Sequence, residues 1–218
     1  MNLIKYNIAI IGLGNIGYLR NLGKKNKLET HFSAISKNKR LKLIGVAEKK
    51  TSVLNKFARK NKNIKLYNNY QKLIKENDID IVVVSTPSSN HEEILRYILK
   101  FKFKCVLCEK PISNNLIKGI ELIKLFKRKK IPLQINYSRR FDYNFSILFK
   151  DLFFNKKIGS IKLVNICYNR GYFNNGSHFL DLVLWFFGVP NKIILLKKTN
   201  SKSFKNDLNL DFVLKYKN

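Results

Sequence analysis

Asn7-Ile8-Ala9-Ile10-Ile11-Gly12-Leu13-Gly14-Asn15-Ile16-Gly17 decides the fold of this chain. The apolar run Asn7–Ile11 reads as a buried strand, and it passes directly into a GxGxxG turn that should open a helix. The first glycine permits the tight turn and the second lets the backbone approach a pyrophosphate. The third lets the helix pack on the sheet. Amides at the helix start then face the phosphates, so Gly12, Gly14, Asn15, Ile16 and Gly17 are candidate cofactor-binding residues.

Working outward, the polar stretch 21–39 separates this turn from a second strand, Leu41–Ala47. Within that stretch His31 reads as a surface or packing histidine. Strand two ends at Glu48, where a dinucleotide fold sets the acid that accepts hydrogen bonds from the adenosine ribose. The gap from Gly17 is longer than the usual spacing of about 20 residues, and the polar insertion accounts for it. Glu48 favours NAD by repelling a 2′-phosphate, whereas the adjoining Lys49 and Lys50 leave NADP open. A helix over 52–61, a short strand near 64–67 and a helix over 70–77 lead to the β-branched run Ile79–Ser85, a central parallel strand. Thr86-Pro87-Ser88-Ser89-Asn90-His91 follows it and precedes a helix patterned by Ile94, Leu95, Ile98 and Leu99.

The next strand, Cys105–Cys108, runs into Glu109-Lys110-Pro111. Proline disfavours a helical backbone at the residue before it, so Lys110 stays at the carboxyl end of the strand, where ligands bind in open α/β sheets. A lysine there can carry a proton or orient a hydroxyl, and Glu109 can accept hydrogen bonds from a sugar. A solvated Glu-Lys pair after a buried strand is the bland alternative. A helix over Leu116–Lys127 is expected to turn Ile117, Ile120 and Ile123 inward, and 132–137 supplies a further strand. Repeated strand-helix-strand units mean an α/β fold: a doubly wound parallel sheet, Rossmann-type, over residues 1–137.

From Ser138 the pattern changes to α+β with a mostly antiparallel sheet. Residues 139–142 open a helix ending near Ile158-Gly159, Ser160–Tyr168 reads as a strand, and 171–177 as a loop carrying His178. A helix 178–187 has Ser177 as its N-cap, and strands 192–198 and 209–216 close the sequence. The second of these alternates Leu210, Phe212, Leu214 and Tyr216 with polar partners.

The chain has 218 residues and a formal net charge of +29, with 45% hydrophobic residues, enough to bury a core. Its lysines are spread along the whole length with no helix-turn-helix, finger or RNA-binding signature, so specific nucleic-acid recognition is not expected, only salt-sensitive polyanion binding. No apolar run approaches a membrane span of about 20 residues, and three cysteines fit a reducing, cytoplasmic setting. Cys105 and Cys108 form a CxxC without a second Cys/His pair at metal spacing, so no metal is expected.

Gly-Leu-Gly-Asn-Ile-Gly at 12–17, Ser-Thr-Pro at 85–87 with His91, Cys-Glu-Lys-Pro at 108–111, Arg139-Arg140-Phe141, and Gly-Ser-His-Phe-Leu-Asp at 176–181 together resemble the glucose-fructose oxidoreductase / inositol dehydrogenase (Gfo/Idh/MocA) family. The resemblance implies an NAD(P)-dependent oxidoreductase acting on a sugar, cyclitol or sugar nucleotide. It implies that Lys110 and His178 share the acid-base work, that Thr86, Pro87, His91 and Glu109 line the nicotinamide half of the cofactor site, and that Lys110 and Arg140 belong to that site. Asn174, Asn175, His178 and Asp181, with Lys110, are the substrate-binding candidates, Asp181 orienting the His178 ring across a crevice from Lys110. One departure stands out: many family members carry an aspartate four residues before this histidine, where this chain has Asn174. An amide cannot accept that proton, which motivates the alternative of a non-catalytic dinucleotide-binding or sensory protein. The family usually continues beyond residue 218, so the second domain, 138–218, is expected to be incomplete and to need a homo-oligomer or a complementing segment.

Overall fold

The computed structural model describes residues 5–22, 29–201 and 207–217. The chain forms two compact units, Met1–Asn136 and Tyr137–Asn218. The first is a six-stranded parallel sheet in the order β3-β2-β1-β4-β5-β6. Its strands are β1 (Tyr6–Ile11), β2 (Leu41–Ala47), β3 (Lys65–Tyr67), β4 (Ile81–Val84), β5 (Cys105–Cys108) and β6 (Leu133–Ile135). The order reverses between β1 and β4, the switch point of a Rossmann sheet.

Both sheet faces are covered, which is why β1 and β4 are apolar at every position of their inner ends. Ala9, Ile11, Val82, Val84, Val106 and Cys108 face α3 (Tyr70–Lys75), α4 (His91–Ile98) and α5 (Leu116–Arg128). Ile8, Ile10, Val46 and Val83 face the other way, against α1 (His31–Lys37) and α2 (Thr51–Ala58). Tyr18, Phe32 and Phe57 meet edge to face there, with ring centroids 4.8–5.3 Å apart.

Two expectations in this unit are corrected. Residues 15–18 make one helical turn, followed by a short 3-10 turn, Leu19–Asn21, instead of a regular helix. On α5 the inward face is Gly119, Leu122 and Phe126, while Ile117, Ile120 and Ile123 are 77%, 46% and 52% exposed. The helix carries apolar residues around most of its circumference, so its 3.6-residue period supports either face, and only the wedge left between β5, β6 and α4 selects one. Of the two readings of His31, surface or packing, the structure takes the second, with the ring against Glu109 as described below.

In the second unit, a turn over Ser138–Phe141 precedes Asp142, whose carboxylate caps α6 (Tyr143–Phe153) by accepting from the amides of Asn144 and Phe145. α6 ends at Phe153, short of the expected end near Ile158-Gly159. α7 (Ser177–Phe187) packs on it through Phe149 and Trp185, stacked at 4.6 Å. β7 (Lys192–Thr199) and β8 (Asn209–Lys215) pair antiparallel, and β8 shows the expected alternation. Ser160–Tyr168 is not a strand. Among the described residues no ladder forms along it, and the Tyr168 hydroxyl meets β8 instead, donating to the Leu210 carbonyl and accepting from the Leu210 amide. A β-branched, apolar run has the propensity for a strand, but a strand needs a neighbour to satisfy its backbone.

Candidate active site

At the carboxyl edge of the parallel sheet each strand hands one more backbone bond to its neighbour: Gly12 donates to the Ala47 carbonyl, Ser85 to Ile11, Glu109 to Val84 and Asn136 to Cys108. The loops carrying the predicted site are thereby aligned along one edge. Gly12 has φ +94°, and a Cβ there would meet the Ser85 carbonyl and the Thr86 amide at 2.8 Å. A Cβ at Gly17 would collide with the Gly12 carbonyl oxygen. That oxygen also accepts from the Ser85 hydroxyl at 2.8 Å, pinning the glycine turn to β4. Gly14 differs, because a Cβ there meets nothing within 4 Å.

Gly14 borders a cleft of about 270 Å³ lined by the glycine turn, Glu48, Lys50, Val53, Tyr70, Ser85, Thr86, Pro87 and Glu93. Glu48 reaches back over the turn: one carboxylate oxygen accepts from the Leu13 amide at 2.8 Å, the other from the Lys50 amide at 2.9 Å. Each oxygen keeps a lone pair for a ribose hydroxyl. Burial, then Glu93, push the Tyr70 hydroxyl up, so it stays protonated and donates to Glu93 at 2.7 Å. Thr86 Oγ1 is buried with no hydrogen-bond partner among the described residues. An open space over Gly14, a fixed acid at the end of β2 and a buried hydroxyl without a partner fit a dinucleotide laid across the switch point.

His91 does not line this cleft. Its ring is fully buried, with Nδ1 2.7 Å from the Pro111 carbonyl oxygen and Nε2 2.9 Å from that of Thr86. The cofactor-contact expectation is thus corrected to a brace that ties the β4 loop to the β5 loop. Lys110 follows β5, half-buried, before a cis peptide bond to Pro111. Beside it, Glu109 Oε1 accepts from Asn136 Nδ2 at 2.6 Å and from His31 Nε2 at 2.9 Å. Burial pushes the Glu109 carboxyl up, but the hydrogen bonds from His31 and Asn136, with the Lys110 charge, outweigh it and hold the group below the usual carboxylate range.

In the second unit, Arg140 grips Asp181 through two bonds of 2.7 Å, so the two side chains are engaged with each other inside this unit. The fork-to-carboxylate geometry is the stronger claim on both side chains. His178 is half-buried, edge-on to Tyr137 with ring centroids 5.9 Å apart. The loop before it is a wide helical turn, Tyr172–Gly176, that runs straight into α7. Ser177 is therefore inside the helix and caps nothing, its hydroxyl donating to the Phe173 carbonyl. Asn174 donates to the Arg170 carbonyl, and Asn175 accepts from Arg139. The Asp207 carboxylate holds the loop through the amides of Phe173 and Asn174. His31, Asn136 and Asp207 were missed as site-building residues. Thr30 and Ser33, a capping box opening α1, were the one local signal that a helix starts at His31.

A family model described as an oxidoreductase family with an NAD-binding Rossmann fold matches residues 6–137. The chain is 27% identical over 85% of its length to an uncharacterized oxidoreductase, YrbE, of Bacillus subtilis, of which it covers 53%. It is 29% identical over 86% of its length to the myo-inositol 2-dehydrogenase of Thermotoga maritima, of which it covers 54%. It thus spans about half the length of these relatives. Among solved structures, the WlbA dehydrogenase of Bordetella pertussis, in complex with NADH and UDP-GlcNAcA, superposes with a TM-score of 0.72 over 93% of this chain and 64% of that one at 17% identity, which speaks to the fold alone. With the family model covering the glycine turn, Glu48, the Thr86 loop and Glu109-Lys110, the chain belongs to the Gfo/Idh/MocA oxidoreductase family and carries its NAD-binding Rossmann fold.

Proposed function

We propose that this chain supplies the cofactor-binding part, and the beginning of the substrate-binding part, of an enzyme that passes a hydride between NAD(P) and a hydroxyl-bearing carbon of a sugar, cyclitol or sugar nucleotide. The observation that carries this reading is the order of groups along one sheet edge: Glu48 after β2, the glycine turn after β1, Thr86 after β4, and Glu109-Lys110 after β5. That order suits adenosine ribose, diphosphate and nicotinamide in turn. NAD is favoured because both Glu48 oxygens sit as fixed acceptors and would repel a 2′-phosphate. A relative named as a myo-inositol 2-dehydrogenase supports the substrate class.

When bound, the nicotinamide accepts or returns the hydride. The chain's residues then have only a proton and an orientation to manage. Lys110 Nζ holds the substrate hydroxyl, and His178 takes the hydroxyl proton as hydride leaves carbon. Glu109, ionised at neutral pH, is an acceptor for the carboxamide N–H of the nicotinamide. Asn174 can hydrogen-bond a sugar but not act as base, so no third acid-base group is assigned. On the protein side, the exposed Ile193, Leu196 and Val213 of the β7–β8 pair support a homo-oligomer contact or a complementing segment.

Turnover on a panel of inositols and nucleotide sugars, read as NADH appearance, tests the reading. Lys110→Ala and His178→Ala should each lower kcat/KM by about 100-fold or more, the scale of general acid-base catalysis. Unchanged kcat and KM in both variants would remove the assignment. Asn174 also supports a second reading, a dinucleotide-binding protein without turnover, which robust activity on any panel member would rule out.

A further inference from the structure

α1 is not joined to the glycine turn by a continuous helix, yet it docks on it as though it were. The His31 amide donates to the Ile16 carbonyl at 2.9 Å and the Phe32 amide to the Gly17 carbonyl at 3.0 Å. Phe32 locks the junction through its edge contacts with Tyr18 and Phe57. From Thr30 on, α1 thus continues the hydrogen bonding that the glycine turn begins. The residue delivered to the first position of α1 is His31, and its Nε2 reaches Glu109.

Glu109 is held on one side only. His31 and Asn136 both approach Oε1, while Oε2 takes no hydrogen bond among the described residues. A carboxylate acts as acceptor only, so His31 Nε2 carries the proton of this bond and donates it. Side-chain exposures of 11% for His31 and 14% for Glu109 keep the bond away from bulk water.

Building on the function proposed above, we propose that His31 is a positioning residue for the nicotinamide half of the cofactor site: it clamps Glu109 by one oxygen so that the other is presented as a fixed acceptor beside Lys110. The clamp also ties the diphosphate-side turn to the end of β5, so the two halves of the dinucleotide are gripped by one connected frame. His31 itself touches neither cofactor nor substrate.

The test compares NADH with ADP-ribose, which shares every group except the nicotinamide, in calorimetric titrations of the wild type, His31→Leu and His31→Gln. The wild type should favour NADH by about tenfold or more, the worth of a charge-assisted hydrogen bond. His31→Leu should bring that ratio close to one with ADP-ribose affinity nearly unchanged. His31→Gln, which keeps an N–H at similar reach, should restore most of it. Thermal unfolding checks that each variant is folded, and should His31→Leu fail to fold, Glu109→Gln reads the same clamp from its other end. A ratio that survives in His31→Leu or Glu109→Gln, an equal loss of both ligands, or a wild-type ratio near one overturns the proposal. A wild type that binds neither ligand instead refutes the dinucleotide reading on which it rests.

Discussion

Gly12 and Gly14 stand two residues apart in one motif, yet the structure assigns them opposite physical roles, and alanine at each separates folding from binding. At Gly12, φ +94° puts an L-residue in a region costing about 1–2 kcal/mol, and the new methyl meets backbone atoms of Ser85 and Thr86 at 2.8 Å, an overpacking cost of about 1–3 kcal/mol. The sum, roughly 2–5 kcal/mol, is a large share of the 5–15 kcal/mol typical of a domain, and should lower the apparent Tm by roughly 10–20 °C. At Gly14 the methyl enters open space, so stability should move by less than about 1 kcal/mol, with any gain coming from a less flexible unfolded chain. That same methyl stands where a diphosphate would approach the backbone. Loss of one hydrogen bond to a charged group is worth about 1.5–3 kcal/mol, or 10- to 100-fold in Kd. Apo thermal unfolding by circular dichroism, paired with NADH titration, reads both effects. The reasoning fails if Gly14→Ala unfolds as early as Gly12→Ala, or if Gly14→Ala binds NADH like the wild type.

Glu48→Gln should narrow the preference for NADH over NADPH by about tenfold, since one charge opposite the 2′-phosphate is removed while shape is kept; an unchanged ratio in paired titrations would contradict the role given to this acid. Phe126→Ala, which empties a site 2% exposed, should cost about 3–5 kcal/mol in denaturant unfolding, whereas Ile117→Ala, at 77% exposed, should stay within about 0.5 kcal/mol; the reverse order would mean that α5 is turned. Glu109 has a folded pKa below its unfolded value of 4.5, so the native state binds fewer protons than the unfolded state as pH falls through that range. Its contribution to stability is therefore complete above about pH 4.5 and lost as pH drops through the folded value. In urea melts from pH 3 to 7, Glu109→Gln should flatten this acid limb, and an unaltered limb would show that His31 and Asn136 do not stabilise the ionised form.

The parallel sheet was legible because its strands are buried on both faces, which writes continuous apolar runs at 8–11 and 81–84 and leaves turn residues at their ends. The candidate site was legible where a backbone rule fixes it, as at Gly12, Glu48 and the residue before Pro111. It was not legible where side chains meet across long separations. Nothing local to His31 or Asn136 announces Glu109, and nothing local to Asp207 announces the loop at Asn174. His91 follows the same rule, because its spacing after Thr86 shows that it belongs to the loop but not that both ring nitrogens turn inward to carbonyls. α5 went wrong for a different reason: with Ile117, Ile120 and Ile123 on one side and Leu122 and Phe126 on the other, periodicity alone does not choose a face. Ser160–Tyr168 shows the limit of propensity, since a run that would suit a strand lies unladdered among the described residues.

The most direct measurement is a crystal structure of this chain grown with NAD. The account predicts the diphosphate against the amides of residues 14–17 with its closest approach at Gly14, the adenosine ribose hydroxyls on Glu48, and the nicotinamide between Thr86 and Glu109-Lys110. A dinucleotide bound in the reverse sense along the sheet edge, or seated away from the glycine turn, would contradict it.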